Sequence, residues 1–291
     1  MGDAEQFWWL DRRTRLRQMA GITEPGLRRS LKRGLASASR PVGGRRPAPG
    51  ATLLIYHRIG GGTPDERDLP TVEFEAQVEE LTRHRVVALD TALDELDAGD
   101  DASKVVLTFD DGFADVYSTA YPLLRDAGLP FTLYVTTAYL DGMMHWPGST
   151  SQHPGPALTW QQLEELASDP LVTIGNHTHT HARPEDLTPE ELDRCSELLE
   201  ERLGVVPQHY CFTWGVPVPH AVPLLQQRFR SAATGIVGRN QPGTDRLQLH
   251  RVPVRGTDPL PFFRAKLRGG LGPERAYEHI VAAAKRSGMS A

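Results

Sequence analysis

The stretch Val105-Val106-Leu107-Thr108-Phe109-Asp110-Asp111-Gly112 constrains this chain more than any other. Three apolar residues followed by Thr and Phe read as a buried strand. Two adjacent carboxylates and a glycine then end it. Asp-Asp has no packing use at a strand end, and neighbouring like charges repel unless a cation or a proton lies between them. In α/β proteins the carboxyl ends of buried strands are where chemistry is placed. On these residues alone, an Asp-Asp-Gly turn and a cation site are both open.

The chain has room for either one large α/β domain or two small ones, with 291 residues of which 39% are hydrophobic. Its two cysteines, Cys195 and Cys211, imply no disulfide framework. Charge is unevenly distributed. Residues 1–50 carry eleven Lys/Arg against four Asp/Glu, and the remaining 241 carry 21 against 33. An acidic body argues against nucleic acid as the main partner. No apolar run reaches 18 residues and no signal-peptide core is present, so the expected location is cytoplasmic.

Residues 1–50 read as a basic arm and linker, and residues 51–291 as the domain. Leu27, Leu31 and Leu35 recur at helical spacing among Arg28, Arg29, Lys32 and Arg33. Such a basic amphipathic pattern can lie on anionic lipid, or the arm can be partly disordered or pack on its own acidic domain. Gly21, Pro25, Gly26 and Gly34 are expected to break the helix. From Ala51 onward, strands are expected near 52–56, 86–89, 105–109, 131–135, 172–174, 210–212, 232–234 and 249–254. Helical patterns lie between them, one opened by a capping box at Thr188-Pro189-Glu190-Glu191. This alternation means a mainly parallel sheet with crossover helices, either open or closed into a distorted barrel.

A second stretch, Ile174-Gly175-Asn176-His177-Thr178-His179-Thr180-His181, follows another strand and so falls on the same edge as Asp110-Asp111. If it makes a helical turn, His177 and His181 share one face, and His179 points away. Two imidazoles and a carboxylate suit a zinc-class divalent cation with positions left for water and substrate. One aspartate would then bind the cation while the other takes a proton from water.

Thr108-Phe109-Asp110-Asp111-Gly112 and His177-Thr178-x-x-His181 resemble the first two motifs of the polysaccharide deacetylases, the NodB-like carbohydrate esterases. The resemblance runs from about Leu53 to Val254. It implies a distorted (β/α) barrel with Asp110 as general base and Asp111, His177 and His181 as metal ligands. The third motif departs from the pattern. In Tyr210-Cys211-Phe212-Thr213-Trp214-Gly215 the aromatic residue and glycine are kept, but Cys211 and Thr213 stand where the family has arginine and proline. Another residue must therefore orient the base, and Arg251 is the candidate. The backbone N–H of Trp214 stays a candidate oxyanion donor. The family's general acid is a late histidine, for which His250 is the nearest match. His57 either lines the pocket or is a core histidine bonded to backbone.

The expected function is metal-dependent removal of an acetyl or similar small acyl group from an amino sugar, with Zn2+ as the expected cation. A C–N hydrolase acting on another amide and a non-catalytic carbohydrate-binding relative are the competing readings.

Overall fold

The computed structural model describes residues 25–38, 47–146 and 153–286. Two compact units emerge. One comprises Arg46–Gly256 and Leu267–Gly269, and the other Met1–Arg45, Thr257–Lys266 and Gly270–Ala291.

In the larger unit, seven parallel strands run in sequential order: β1 (Ala51–Tyr56), β2 (Lys104–Phe109), β3 (Phe131–Val135), β4 (Val172–Asn176), β5 (His209–Cys211), β6 (Ser231–Ala233) and β7 (Arg251–Pro253). β7 returns to pair with β1, and just ahead of it Leu249 bridges Ala233 of β6. Backbone bonds Leu249 N to Ala232 O and Thr234 N to Leu249 O, both 2.9 Å, make this contact and nearly close the barrel. Crossover helices α2 (Thr71–Leu81), α3 (Leu89–Asp97), α4 (Tyr121–Asp126), α5 (Trp160–Ser168), α6 (Pro189–Leu203) and α7 (Val222–Gln226) fall between the strands.

Side chains alternate across each strand. On β2, Phe109 faces outward, stacking on Tyr56 at 5.1 Å and meeting Phe74 of α2 at 6.2 Å. Val106 faces inward with Leu53 of β1, Tyr134, Cys211 and Leu249, and the apolar face of α3 (Leu89, Ala92, Leu93, Leu96) joins that cluster. The inward series Val106, Thr108 is continued by Asp110, and that of β1 by His57. This periodicity aims the ends of the strands at one point.

Several local expectations differ from the structure. Residues 86–89 form no strand. Val86 makes one isolated bridge to Val105, and Leu89 already begins α3, because its side chain joins the helix's apolar face. Thr188 makes no side-chain cap to α6; Glu191 instead accepts from the N–H and hydroxyl of Thr180, both at 2.8 Å. A capping box does form at Thr159 and Gln162, at the start of α5. Ahead of α4, residues Val116–Ala120 make a π-helical turn.

In the smaller unit, α1 (Pro25–Ala38) runs unbroken through Gly26 and Gly34, with Pro25 at its first position where a missing N–H costs nothing. The rest of the expected arm, residues 1–24 and 39–46, lies outside the described residues. Ala36, Phe262 of α8 (Leu260–Leu267) and Tyr277 of α9 (Gly272–Arg286) form the unit's apolar cluster with Leu31, Leu35 and Val281. Buried Lys32 donates to Asp258 at 2.7 Å, and buried Lys266 pairs with both Asp258 and Glu274. The two cations are thus compensated by two carboxylates.

Candidate active site

Asp110 and Asp111 leave β2 in different directions. The N–H of Asp110 still bonds Tyr56 O, so its side chain keeps the inward direction of the strand. Asp111 takes φ +77° and Gly112 φ +107°, a left-handed bend that turns the second carboxylate towards β4. Such φ values are costly for a residue with a Cβ and concentrate at functional sites. Of the five non-glycine residues with positive φ among the described residues, four surround this point: Asp111, Thr178, His181 and Trp214.

The histidine segment is not a helical turn. Thr178 (φ +65°) and His181 (φ +56°) bend it into a tight loop, and Asn176 holds the bend by accepting from Thr178 N and donating to Leu192 O and Ser196 Oγ. Both imidazoles nevertheless converge. Nε2 of His177 and Nε2 of His181 each lie 3.4 Å from Oδ1 of Asp111. His179 points elsewhere, its Nδ1 2.9 Å from Thr137 Oγ1.

These three donors fit a divalent cation on grounds beyond proximity. Nδ1 of His177 lies 2.9 Å from the carbonyl of Cys211, which can only accept, so the proton belongs on Nδ1 and the Nε2 lone pair faces Asp111. His181 is fixed differently. Its Nδ1 is buried without a hydrogen-bond partner among the described residues, and its ring stacks on Trp146 at 3.9 Å and meets Trp214 edge-on at 5.4 Å. Burial works against ionising Asp111, but its two imidazole neighbours, His177 and His181, outweigh it and hold the carboxyl well below the usual range. A second grouping, Asp110 with His177 and Cys211, also brings donor atoms together. A guanidinium already occupies that position, so the first grouping is the candidate metal site.

The guanidinium is that of Arg251, from the closing strand β7. Its Nη1 donates to Asp110 Oδ1 at 2.7 Å and its Nη2 to Oδ2 at 2.8 Å; further bonds reach Thr108 Oγ1, Cys211 Sγ and Thr234 O. Burial would raise the pKa of Asp110, and the charge and hydrogen bonds of Arg251 overcome it and lower it. The cation missing from the third motif at Cys211 thus arrives from another strand. With its donors so engaged and only 1% exposed, Arg251 is placed to hold Asp110 rather than to touch substrate. Cys211 itself is buried, with its thiol pKa pushed up by burial, so it is a poor nucleophile.

His250 is not brought into the site. Adjacent residues on a strand face opposite sides, so with Arg251 inward His250 turns outward. Its backbone is clamped by Asn240, and its ring sits where a Cβ on Gly238 would come within 2.7 Å. His57 is closer to the chemistry. It continues the inward face of β1, both Asp110 and Asp111 act on it, and burial first of all lowers its pKa, keeping it neutral. The ring of Trp214 meets His181 edge-on at 5.4 Å.

Two features of the site were not read from sequence. The Cys211 carbonyl is a backbone group and leaves no trace in residue identity. Asn176 had one signal, a polar side chain ending a buried strand.

A family model described as polysaccharide deacetylase matches residues 97–227, the segment that holds Asp110, Asp111, His177, His181, Cys211 and Trp214. Over that segment the chain is similar to the polysaccharide deacetylases. YxkH of Bacillus subtilis, named provisionally as a polysaccharide deacetylase, is 29% identical over 143 residues, which are 48% of this chain and 46% of that protein. The chain therefore matches about half the length of that relative. IcaB from Ammonifex degensii superposes with a TM-score of 0.65 at 24% identity, covering 76% of this chain and 98% of IcaB. The Streptococcus pyogenes deacetylase PplD superposes at 0.59 with 21% identity, covering 72% and 94%. These two likenesses show the fold: the deacetylase barrel. Among the described residues, no helix is long and apolar enough to cross a membrane.

Proposed function

We propose that this chain is a metal-dependent deacetylase that hydrolyses the N-acetyl, or a similar small acyl, amide of an amino sugar. The observation that carries the reading is the division of labour between two adjacent carboxylates: Asp110 gripped by Arg251, and Asp111 facing two imidazole nitrogens 3.4 Å away. A binding protein would need no ionised base beside a ligand set.

Asp111, His177 and His181 would hold the cation, and one carboxylate with two imidazoles suits zinc. When bound, such an ion polarises the acyl carbonyl and makes water easier to deprotonate. Asp110, kept ionised by Arg251, takes the proton from the attacking water. The N–H of Trp214 donates to the carbonyl oxygen as charge develops there. The nitrogen of the sugar must gain a proton as the C–N bond breaks, and neutral His57 beside the two aspartates relays it. The PplD structure with acetate bound supports acetyl as the group removed.

The test is release of acetate and free amine from N-acetylated glucosamine oligomers, set beside a panel of small non-sugar amides. Activity on sugars that falls with chelator and with Asp110→Asn supports the reading. Turnover of other amides while sugars stay inert would replace the substrate class, and an unaffected Asp110→Asn would remove the assigned base.

A further inference from the structure

Arg58 directly follows His57 and has no part in the chemistry described above, yet it is buried and three segments converge on its guanidinium. Its own segment is pinned first. Tyr56 O accepts from Asp110 N at 3.0 Å, Arg58 N donates to Arg67 O at 3.2 Å, and Arg58–Ile59 pairs in parallel with Asp68–Leu69. The second segment is the one that leaves Asp111 and Gly112. There Asp115 accepts from Arg58 Nε on Oδ2 at 2.9 Å and from Ile59 N on Oδ1 at 3.0 Å. The guanidinium lies 4.6 Å over the ring of Phe113. The third segment is the antiparallel pair of Met143–Met144 with Gly155–Pro156. Just ahead of its second strand, His153 O accepts from Arg58 Nη1 at 3.3 Å.

The backbones come close enough that side chains would not fit. A Cβ on Gly155 would stand 2.6 Å from Arg58 Nη2, and one on Gly61 2.4 Å from the same atom. Glycine is the residue that allows such an approach.

The third segment carries Trp146. Phe113, Met144, Trp146 and Ala157 form one apolar cluster, and an isolated bridge joins Phe113 to Ala157. Trp146 in turn stacks on His181 at 3.9 Å, and Nε2 of His181 lies 3.4 Å from Asp111. A continuous set of contacts therefore runs from the guanidinium of Arg58 to the imidazole of His181. Answering the charge of Asp115 would need only an ammonium. A planar fork that also reaches a carbonyl on another segment and packs over an aromatic ring is what arginine adds.

We infer that Arg58 is a positioning residue of the metal site: by tying the Trp146 segment to Asp115 and to the strand end beside His57, it seats the ring of Trp146 on His181 and so fixes the direction of that imidazole. This rests on the reading of Asp111, His177 and His181 as metal ligands.

The experiment compares the full chain with its R58K and R58M/D115N variants. R58K keeps a cation for Asp115, and the double variant removes both charges, so neither leaves a carboxylate buried alone. Two quantities are measured well below each melting temperature. The first is acrylamide quenching of Trp146 emission in the metal-free protein, isolated by subtracting the matching Trp146→Phe protein. Trp146 is 4% exposed, so it should be shielded in the wild type and become several-fold more quenchable in both variants. The second is zinc affinity by chelator competition, which should fall about tenfold in both, the lower end of what losing an orienting partner costs. Combined with Trp146→Ala, R58K should weaken zinc little further, because both changes act on the same contact. Unchanged zinc affinity in the variants, or losses from R58K and Trp146→Ala that multiply in full, would overturn the inference while leaving the metal site standing. So would a Trp146 as shielded in the variants as in the wild type. If the wild type binds no zinc, the metal reading fails, and the quenching alone decides whether Arg58 seats Trp146: exposure in the variants upholds it, and continued shielding overturns it.

Discussion

Arg251 holds Asp110 by both carboxylate oxygens, at 2.7 and 2.8 Å, while its Nε donates to the carbonyl of Thr234 at 2.8 Å. Thr234 directly follows β6 and Arg251 opens β7, the two strands that close the barrel through Leu249. Closing the sheet and fixing the proposed base are therefore one structural event. The pair is buried, so each charge depends on the other to offset the loss of water.

Arg251→Met should leave Asp110 buried without its cation. In the wild type the carboxyl lies below its ordinary value because Arg251 outweighs burial; with Arg251 gone, burial alone raises it. A raised pKa means the ionised base is lost at a higher pH as pH falls, so the acid limb of the kcat/KM profile should move upward. At neutral pH the loss of kcat should be about 10²–10⁴-fold, the range of a general base. Breaking a buried pair also costs about 3–5 kcal/mol of stability. A pH–rate profile with a thermal melt checks both, and an unmoved acid limb would refute the role of Arg251.

Zinc added to the metal-stripped protein should raise its thermal midpoint, because a cation that binds only the folded site stabilises it. At free metal a hundredfold above Kd the gain is about 2.7 kcal/mol. His181→Gln removes one of the three donors and should abolish most of the shift. Calorimetry with and without metal reads this directly. A stripped wild-type protein that melts at the same temperature with zinc present would show that Asp111, His177 and His181 do not form the site.

A separate acid dependence should come from the far end of β5. Asp90 of α3 is lowered to about 2, first by its contact with His209, 3.3 Å away, and then by Arg230. With an unfolded value near 3.8, this stabilisation is present above about pH 4 and lost as pH falls through about 2. Asp90 is nearly half exposed, so screening reduces the effect to about 1 kcal/mol. Unfolding in urea at pH 5, 4, 3 and 2 should show Asp90→Asn losing that much less than the wild type over the interval. Parallel curves would show that the pairing contributes nothing.

The barrel was legible because its strands are short apolar runs with helical patterns between them, and the Asp-Asp and histidine stretches stood out because polar residues ended buried strands. Val86–Leu89 misled because a run of four apolar residues shows no period of its own, and its last member, Leu89, already opens α3. The helical turn expected at His177–His181 gave way to left-handed φ values, which only long-range packing can impose on Thr178 and His181. His250 was matched by position along the chain, but strand alternation sends it to the opposite face from Arg251. The grip of Arg251 on Asp110 joins residues 141 apart in sequence, a contact that became specific only once Cys211 was seen to leave a cation wanting.

Trp146 flanks the proposed metal site from outside its ligand set. Metal-binding histidines usually fix their ring through a hydrogen bond on the second nitrogen, but Nδ1 of His181 is buried without one among the described residues. The stack on Trp146 at 3.9 Å takes over that task. Trp146→Ala should therefore weaken zinc binding by about tenfold, the lower end of what losing such an orienting partner costs. Trp146→Phe keeps an aromatic face and should retain most of the affinity. Because removing a buried Trp also costs about 3–5 kcal/mol in packing, affinity is measured by chelator competition well below the melting temperature of the variant. A Trp146→Ala protein that melts earlier yet binds zinc as tightly as the wild type would show that the ring supports the fold and does nothing for His181.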